Sequence, residues 1–95
     1  MKPELEFKPT NKYKKDLSLM VRQGKDVSLL DAVVDKLCKQ ESLEPKYRDH
    51  PLHGNYVGHR ECHIEPDWLL IYRVSEKELI LTAVRTGSHS NLLKK

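Results

Sequence analysis

Three of the five histidines in this chain stand beside other residues able to handle protons or anions. His63, Asp67 and Trp68 share the run His63-Ile64-Glu65-Pro66-Asp67-Trp68. His50 lies in Arg48-Asp49-His50-Pro51-Leu52, and His89 closes Arg85-Thr86-Gly87-Ser88-His89. A proline after an extended run pre-sets a turn, so the first run reads as a hairpin corner between two strands. A fold that gathers the three pieces makes an imidazole-rich pocket with an arginine at hand. Imidazole takes or gives a proton near neutral pH, which suits acid–base cleavage of a phosphodiester. RNA fits that chemistry best because it carries its own nucleophile, the 2′-hydroxyl. Its cleavage needs a base for the hydroxyl proton, an acid for the departing 5′ oxygen, and positive charge for the phosphorus centre.

Roles follow from position. His89, on a C-terminal segment just after Gly87, is the candidate general acid. His50 and His63 are candidates for the base or for orienting substrate. Asp67 either takes the proton itself or holds a histidine in its productive tautomer. Arg85 ends a strand ahead of His89 and is the candidate phosphate contact, with Arg60 as a second. Trp68 is either a platform on which a base stacks or a core anchor. Lys12, Lys14, Lys15 and Lys25, with Arg22, lie on or beside the first helix and either grip RNA phosphates or form a solvated face. His53 and His59 are read as surface residues. His59 and His63 suit a metal only on a helix; on a strand their positions are about 13 Å apart. No carboxylate or cysteine completes a convincing set with them, so neither metal nor cofactor is expected.

The elements that must position these residues can be read from periodicity. The 95 residues allow one domain, residues 1–95, with one modest core and a shallow cleft on an open sheet. Leu5 to Lys8 alternates as a short strand. After Thr10 or Asn11 as cap, Tyr13, Leu17, Met20 and Val21 form one apolar stripe of a helix that ends near Gly24. A second helix is expected from Ser28, with Asp31 completing a capping-box-like start. Leu29, Leu30, Val33, Val34, Leu37 and Cys38 form its wide apolar face. Residues 41 to 54 read as a loop, and loops of that length are often functional. Three strands follow, at Asn55 to Ile64, Trp68 to Val74 and Leu79 to Thr86. The residues from Ser88 onward suggest an extra turn or short strand. The expectation is an α+β fold of order β-α-α-β-β-β, an antiparallel sheet with both helices on one face and the site on the other.

Composition sets outer limits. A formal charge of +3 favours an anionic partner. No run approaches the roughly 18 apolar residues of a membrane span, and the start lacks the apolar centre of a signal peptide. A cytoplasmic location with no membrane partner is the expectation. The two cysteines, Cys38 and Cys62, have no metal-type spacing and read as buried hydrophobes in a reducing compartment.

Three blocks carry a family resemblance: Arg48-Asp49-His50-Pro51-Leu52-x-Gly54, then Arg60-x-x-His63-x-x-Pro66-Asp67-Trp68-x-x-x-Tyr72, then Arg85-Thr86-Gly87-Ser88-His89. Together they resemble the YafQ branch of the RelE-type toxins, over roughly residues 10 to 93. The resemblance implies a RelE-like fold and a toxin of a type II toxin–antitoxin pair. Such a toxin enters the ribosomal A site and cuts messenger RNA there without a metal, at adenine-rich, lysine-type codons. A co-expressed antitoxin silences it and also binds operator DNA. The family's functional positions fall on His50, His63, Asp67, Trp68 and His89. A further family position, an aromatic four places after the last histidine, is Leu93 here, which leaves apolar packing against a base. Two rival readings keep the fold and drop the chemistry: a gyrase poison of the kind that lacks the histidine set, and a binding module with a degenerate site.

Overall fold

Helix-period stripes, then strand-length apolar runs separated by glycine and proline, give the order β1 (Glu6–Pro9), α1 (Asn11–Arg22), α2 (Val27–Cys38), β2 (His50–Pro51), β3 (Arg60–Glu65), β4 (Trp68–Ser75), β5 (Ile80–Gly87) and α3 (His89–Leu92). Short 3-10 turns at Pro45–Tyr47 and Gly54–Tyr56 flank β2. This is a computed structural model, and it describes residues 2–92. Among these, no helix is long and apolar enough to cross a membrane.

Thr10 caps α1: its hydroxyl accepts from the Tyr13 N–H and donates to the Val84 carbonyl of β5 at 2.8 Å, pinning the helix start to the sheet. Tyr13 and Met20 are buried and Leu17 packs at their margin, whereas Val21 is exposed. The α2 cap is Asp26, not Ser28: its carboxylate accepts from the Ser28 N–H at 3.0 Å. An Asp two residues earlier reaches the orphan amide directly, which a serine inside the first turn cannot do. Leu30, Val33, Leu37 and Cys38 are buried, and Leu29 stands outside the packed stripe.

The five strands form one sheet in the order β1-β5-β4-β3-β2. Strands β2 to β5 pair antiparallel as expected, but β1 lies parallel to β5, so the sheet is mixed. A parallel pair needs a long crossover. Everything between β1 and β5 supplies it: the chain crosses one face through the helix pair, reaches the far edge at β2, and returns by hairpins to β1. Strand β2 was not expected, and β3 begins at Arg60 rather than at Asn55. Gly54 and Gly58, at φ of +67° and +86°, turn the intervening residues out of strand geometry.

The α1 and α2 stripes pack on one face of the sheet, against Cys62, Ile64, Trp68, Leu70, Tyr72, Leu81 and Ala83. On the opposite face Leu69, Ile71 and Leu92 make a second, smaller cluster with Leu52, Tyr56 and Val84. That face is therefore partly roofed by the loop after β2 and by α3. Cys38 and Cys62 are both buried and free, and burial pushes the Cys62 thiol up to about 12, which keeps it inert.

Candidate active site

Strand alternation decides which side chains meet. In the β3–β4 register Glu61 lies opposite Ile71 and His63 opposite Leu69, so both point to the face away from the helices. His50 pairs with Glu61 across the β2–β3 ladder and shares that face. Pro66 and Asp67 turn the hairpin between β3 and β4, and α3 brings His89 over the corner. The ring centroids of His50 and His63 are 6.4 Å apart and those of His63 and His89 5.4 Å apart.

Each imidazole is held by its Nδ1. His50 Nδ1 faces the Arg48 carbonyl and His63 Nδ1 the Pro66 carbonyl at 3.2 Å. His89 Nδ1 faces Asp67 Oδ1 at 3.3 Å. A carbonyl or carboxylate oxygen only accepts, so all three rings carry a proton on Nδ1 and present Nε2 for chemistry. Arg48 aims its carbonyl from a left-handed conformation, φ +49°. Asp67 also accepts the His89 backbone N–H at 3.2 Å; that bond, then the ring bond, holds its carboxyl below the ordinary aspartate range.

The centre of the cluster is Glu61. Its side chain is almost wholly buried, with Oε2 at 3.2 Å from His50 Nε2 and 3.8 Å from His63 Nε2, while Oε1 has no hydrogen-bond partner among the described residues. Spacing and resemblance do not single out Glu61. Its signal in the chain is the period-two step to His63, which puts a carboxylate beside an imidazole if Arg60–Glu65 is a strand.

Several candidates lie elsewhere. Trp68 is fully buried under the helices, where its indole N–H donates to the Thr86 hydroxyl at 2.9 Å; it is the core anchor, and no base can stack on it. Arg60 points to the helix-covered side, bonded at 3.3 Å to Asp49, which also accepts from the Tyr72 hydroxyl at 2.6 Å. This trio fixes the approach to His50. Arg85 is engaged by Asp16 through bonds of 2.7 and 3.1 Å, which hold the guanidinium charged, so the expected free arginine beside the imidazoles is instead a helix-to-sheet tie. Lys12 and Lys15 are exposed on α1. His53 is exposed, and His59 packs edge-on to Tyr56. Leu93 lies outside the described residues.

A carboxylate does stand beside two of the histidines, in a grouping that leaves out His59. Glu61, His63 and His89 offer donor atoms that all lie within 4.8 Å of one another. Bonds of about 2.0–2.1 Å to a tetrahedral ion bring its ligands to about 3.3 Å of each other, so these side chains would close inward to hold one.

A family model described as a bacterial toxin of type II toxin-antitoxin system, YafQ, matches residues 5–94. The chain belongs to the YafQ family. The mRNA interferase toxin YafQ of Escherichia coli K12 is 38% identical over 84 residues, 87% of this chain and 89% of that protein. Among solved structures, a metal-bound toxin from Helicobacter pylori is 45% identical with a TM-score of 0.88, covering 93% of this chain and 98% of the other. The YafQ fold in the E. coli DinJ–YafQ toxin-antitoxin complex superimposes with a TM-score of 0.84 at 34% identity, covering 94% and 97%. Two helices on one face of an α+β sheet are common to the YafQ structures and this chain.

Proposed function

We propose that this YafQ-family toxin is an endoribonuclease, an mRNA interferase that cuts messenger RNA on the ribosome by metal-independent acid–base chemistry. A cognate antitoxin encoded with it restrains it in the cytoplasm and carries any contact with operator DNA. The observation that carries this reading is the convergence of three Nδ1-anchored imidazoles around one buried carboxylate on the face away from the helices.

The steps follow from the tautomers. His63 Nε2 takes the 2′-hydroxyl proton, and Glu61, whose Oε2 lies 3.8 Å from that nitrogen, stabilises the imidazolium that forms. The 2′ oxygen bonds to phosphorus as the P–O5′ bond breaks, and protonated His89 delivers its Nε2 proton to the departing 5′ oxygen. Asp67 Oδ1, 3.3 Å from His89 Nδ1, holds that ring in place for the transfer. His50, with Nε2 at 3.2 Å from Glu61 Oε2, orients the phosphate. Each proton transfer supplies about 10²–10⁴-fold in rate. The products are a 2′,3′-cyclic phosphate end and a 5′-hydroxyl end.

The test is cleavage of messenger RNA on programmed ribosomes, beside a message carrying one 2′-deoxynucleotide at the mapped cut. Cyclic-phosphate ends, arrest at the deoxy site, and loss of cutting in a folded His89→Ala variant are expected. Cutting at the deoxy position, or growth arrest with intact message, would overturn the proposal.

A metal ion is a competing occupant of the same side chains, a reading favoured by the Glu61–His63–His89 grouping and by the metal-bound relative. An ion there would engage groups the proton transfers require. Added Cu²⁺ or Zn²⁺ should therefore suppress cutting, and EDTA should leave the metal-free protein fully active. Loss of activity in EDTA would reverse the assignment.

A further inference from the structure

Beside His63, the outer edge of β3 loses its strand partner, since β2 pairs only with Arg60 and Glu61. The space beyond is a cavity of about 650 Å³. Its apolar walls come from Leu29, Tyr47, Ile64 and Pro66, its rim from Lys46 and Arg48, and one end is His63 itself. That volume lies within the range of about 300–1,000 Å³ typical of small-molecule sites. Glu65 also lines it, but Lys25 neutralises that carboxylate at 3.3 Å. The Lys46 ammonium sits over the Tyr47 ring at 5.2 Å, and among the described residues its one carboxylate neighbour, Glu44, is 4.0 Å away. Arg48 is exposed, and among the described residues no carboxylate pairs with it.

We propose that this cavity is a binding subsite for the nucleotide that flanks the cut. The base stacks in the apolar cleft beside Tyr47, and the adjoining phosphate meets Arg48 and Lys46. The inference rests on the RNA-cleaving reading above and extends it to the strand's path. An aromatic ring with Arg48 and Lys46 on its rim matches what single-stranded nucleic acid presents, a base face followed by an anion. The shared wall at His63 makes the path continuous: a strand whose scissile phosphate lies between His63 and His89 continues over β3 into the cavity. Arg48 also links the two places through its backbone, because its carbonyl anchors His50 while its side chain rims the cavity.

The test uses the full chain and a non-cleavable 2′-O-methylated tetraribonucleotide, so that binding is read without catalysis. Arg48→Gln leaves the carbonyl to His50 in place. It should weaken binding several-fold and lower the slope of log affinity against log salt by about 0.7. Tyr47→Ala should weaken binding about fivefold or more, and Tyr47→Phe should restore it. Because Tyr47 also packs against the core, amide-proton spectra of the unmutated chain provide a second readout. RNA should shift the signals of Tyr47, Arg48 and Ile64 together with those of the three histidines.

Shifts at the histidines alone, with unchanged affinity in Arg48→Gln, would sink the subsite and spare the nuclease reading. No shift anywhere would sink both. Shifts at Tyr47 and Arg48 on adding the antitoxin but not RNA would assign the cavity to that partner and overturn the proposal.

Discussion

Glu61 holds Oε2 at 3.2 Å from His50 Nε2 while its other carboxylate oxygen, buried beneath the ring, bonds to nothing among the described residues. A buried carboxylate oxygen left without a partner is costly to the fold. Such an arrangement persists where the charge has a task. Here the task is to stabilise the imidazolium that forms during proton transfer.

Glu61→Gln keeps the shape and removes the charge. RNA cutting should fall by about 10²–10⁴-fold, because the imidazolium formed during proton transfer loses its counter-charge. Thermal unfolding should be unchanged or shifted upward, since an imperfectly paired buried charge has gone. Melting curves and single-turnover rates check the two halves separately. A variant that cuts like the parent would remove Glu61 from the mechanism.

Asp67 and His89 predict a pH dependence of stability. The His89 backbone N–H and ring hold the Asp67 carboxyl below its unfolded range, so the folded state favours the ionised form. That contribution is fully present above the ordinary aspartate range and disappears as pH falls through the depressed value. Denaturant midpoints of the parent and of Asp67→Asn should therefore differ near neutrality and converge in acid. A constant gap across that window would show that the contact contributes nothing through its charge.

Gly87 sets the position of His89. Its φ of +153° is reached readily only by glycine, and an added Cβ would lie 3.3 Å from Leu92 Cδ2. Gly87→Ala should cost about 1–3 kcal/mol in strain. It should also push α3, and with it the acid, out of line, so that cutting falls more than the loss of folded protein explains. Circular dichroism melts beside rates per folded molecule give the comparison.

Trp68 supplies the opposite case. Trp68→Phe removes the bond to Thr86, whose hydroxyl still donates to the Leu69 carbonyl at 2.7 Å. Stability should drop by about 1–3 kcal/mol with RNA affinity unaltered in the folded fraction. A selective loss of RNA binding would return the indole to the substrate, against its complete burial.

Local signals were enough for the two long helices and the cores of the long strands, though not for β2. The Tyr13–Leu17–Met20 stripe, the α2 apolar face and the run Trp68–Tyr72 each record burial at a fixed period, and Pro66-Asp67 marks the hairpin. The histidines and Asp67 were legible as chemistry because imidazole and carboxylate are useful together, and the three blocks carried the family. The parallel β1–β5 pair was not legible, since its two strands stand more than seventy positions apart and nothing in either specifies direction. Nor were the fates of the cations and the indole. Arg85 and Asp16 form a pair spanning 69 residues, and Arg60 takes the opposite face from its neighbour Glu61.

Residue type and spacing by themselves determined which groups can move protons and which segments fold into helices and strands. Only the tertiary structure decided which of those groups converge. Convergence depends on register, strand direction and the packing of α3 over the corner, which arise from contacts between distant parts of the chain. Glu61 shows the difference most plainly: an ordinary carboxylate in the chain, it becomes the hub of the site once β2, β3 and β4 are laid side by side.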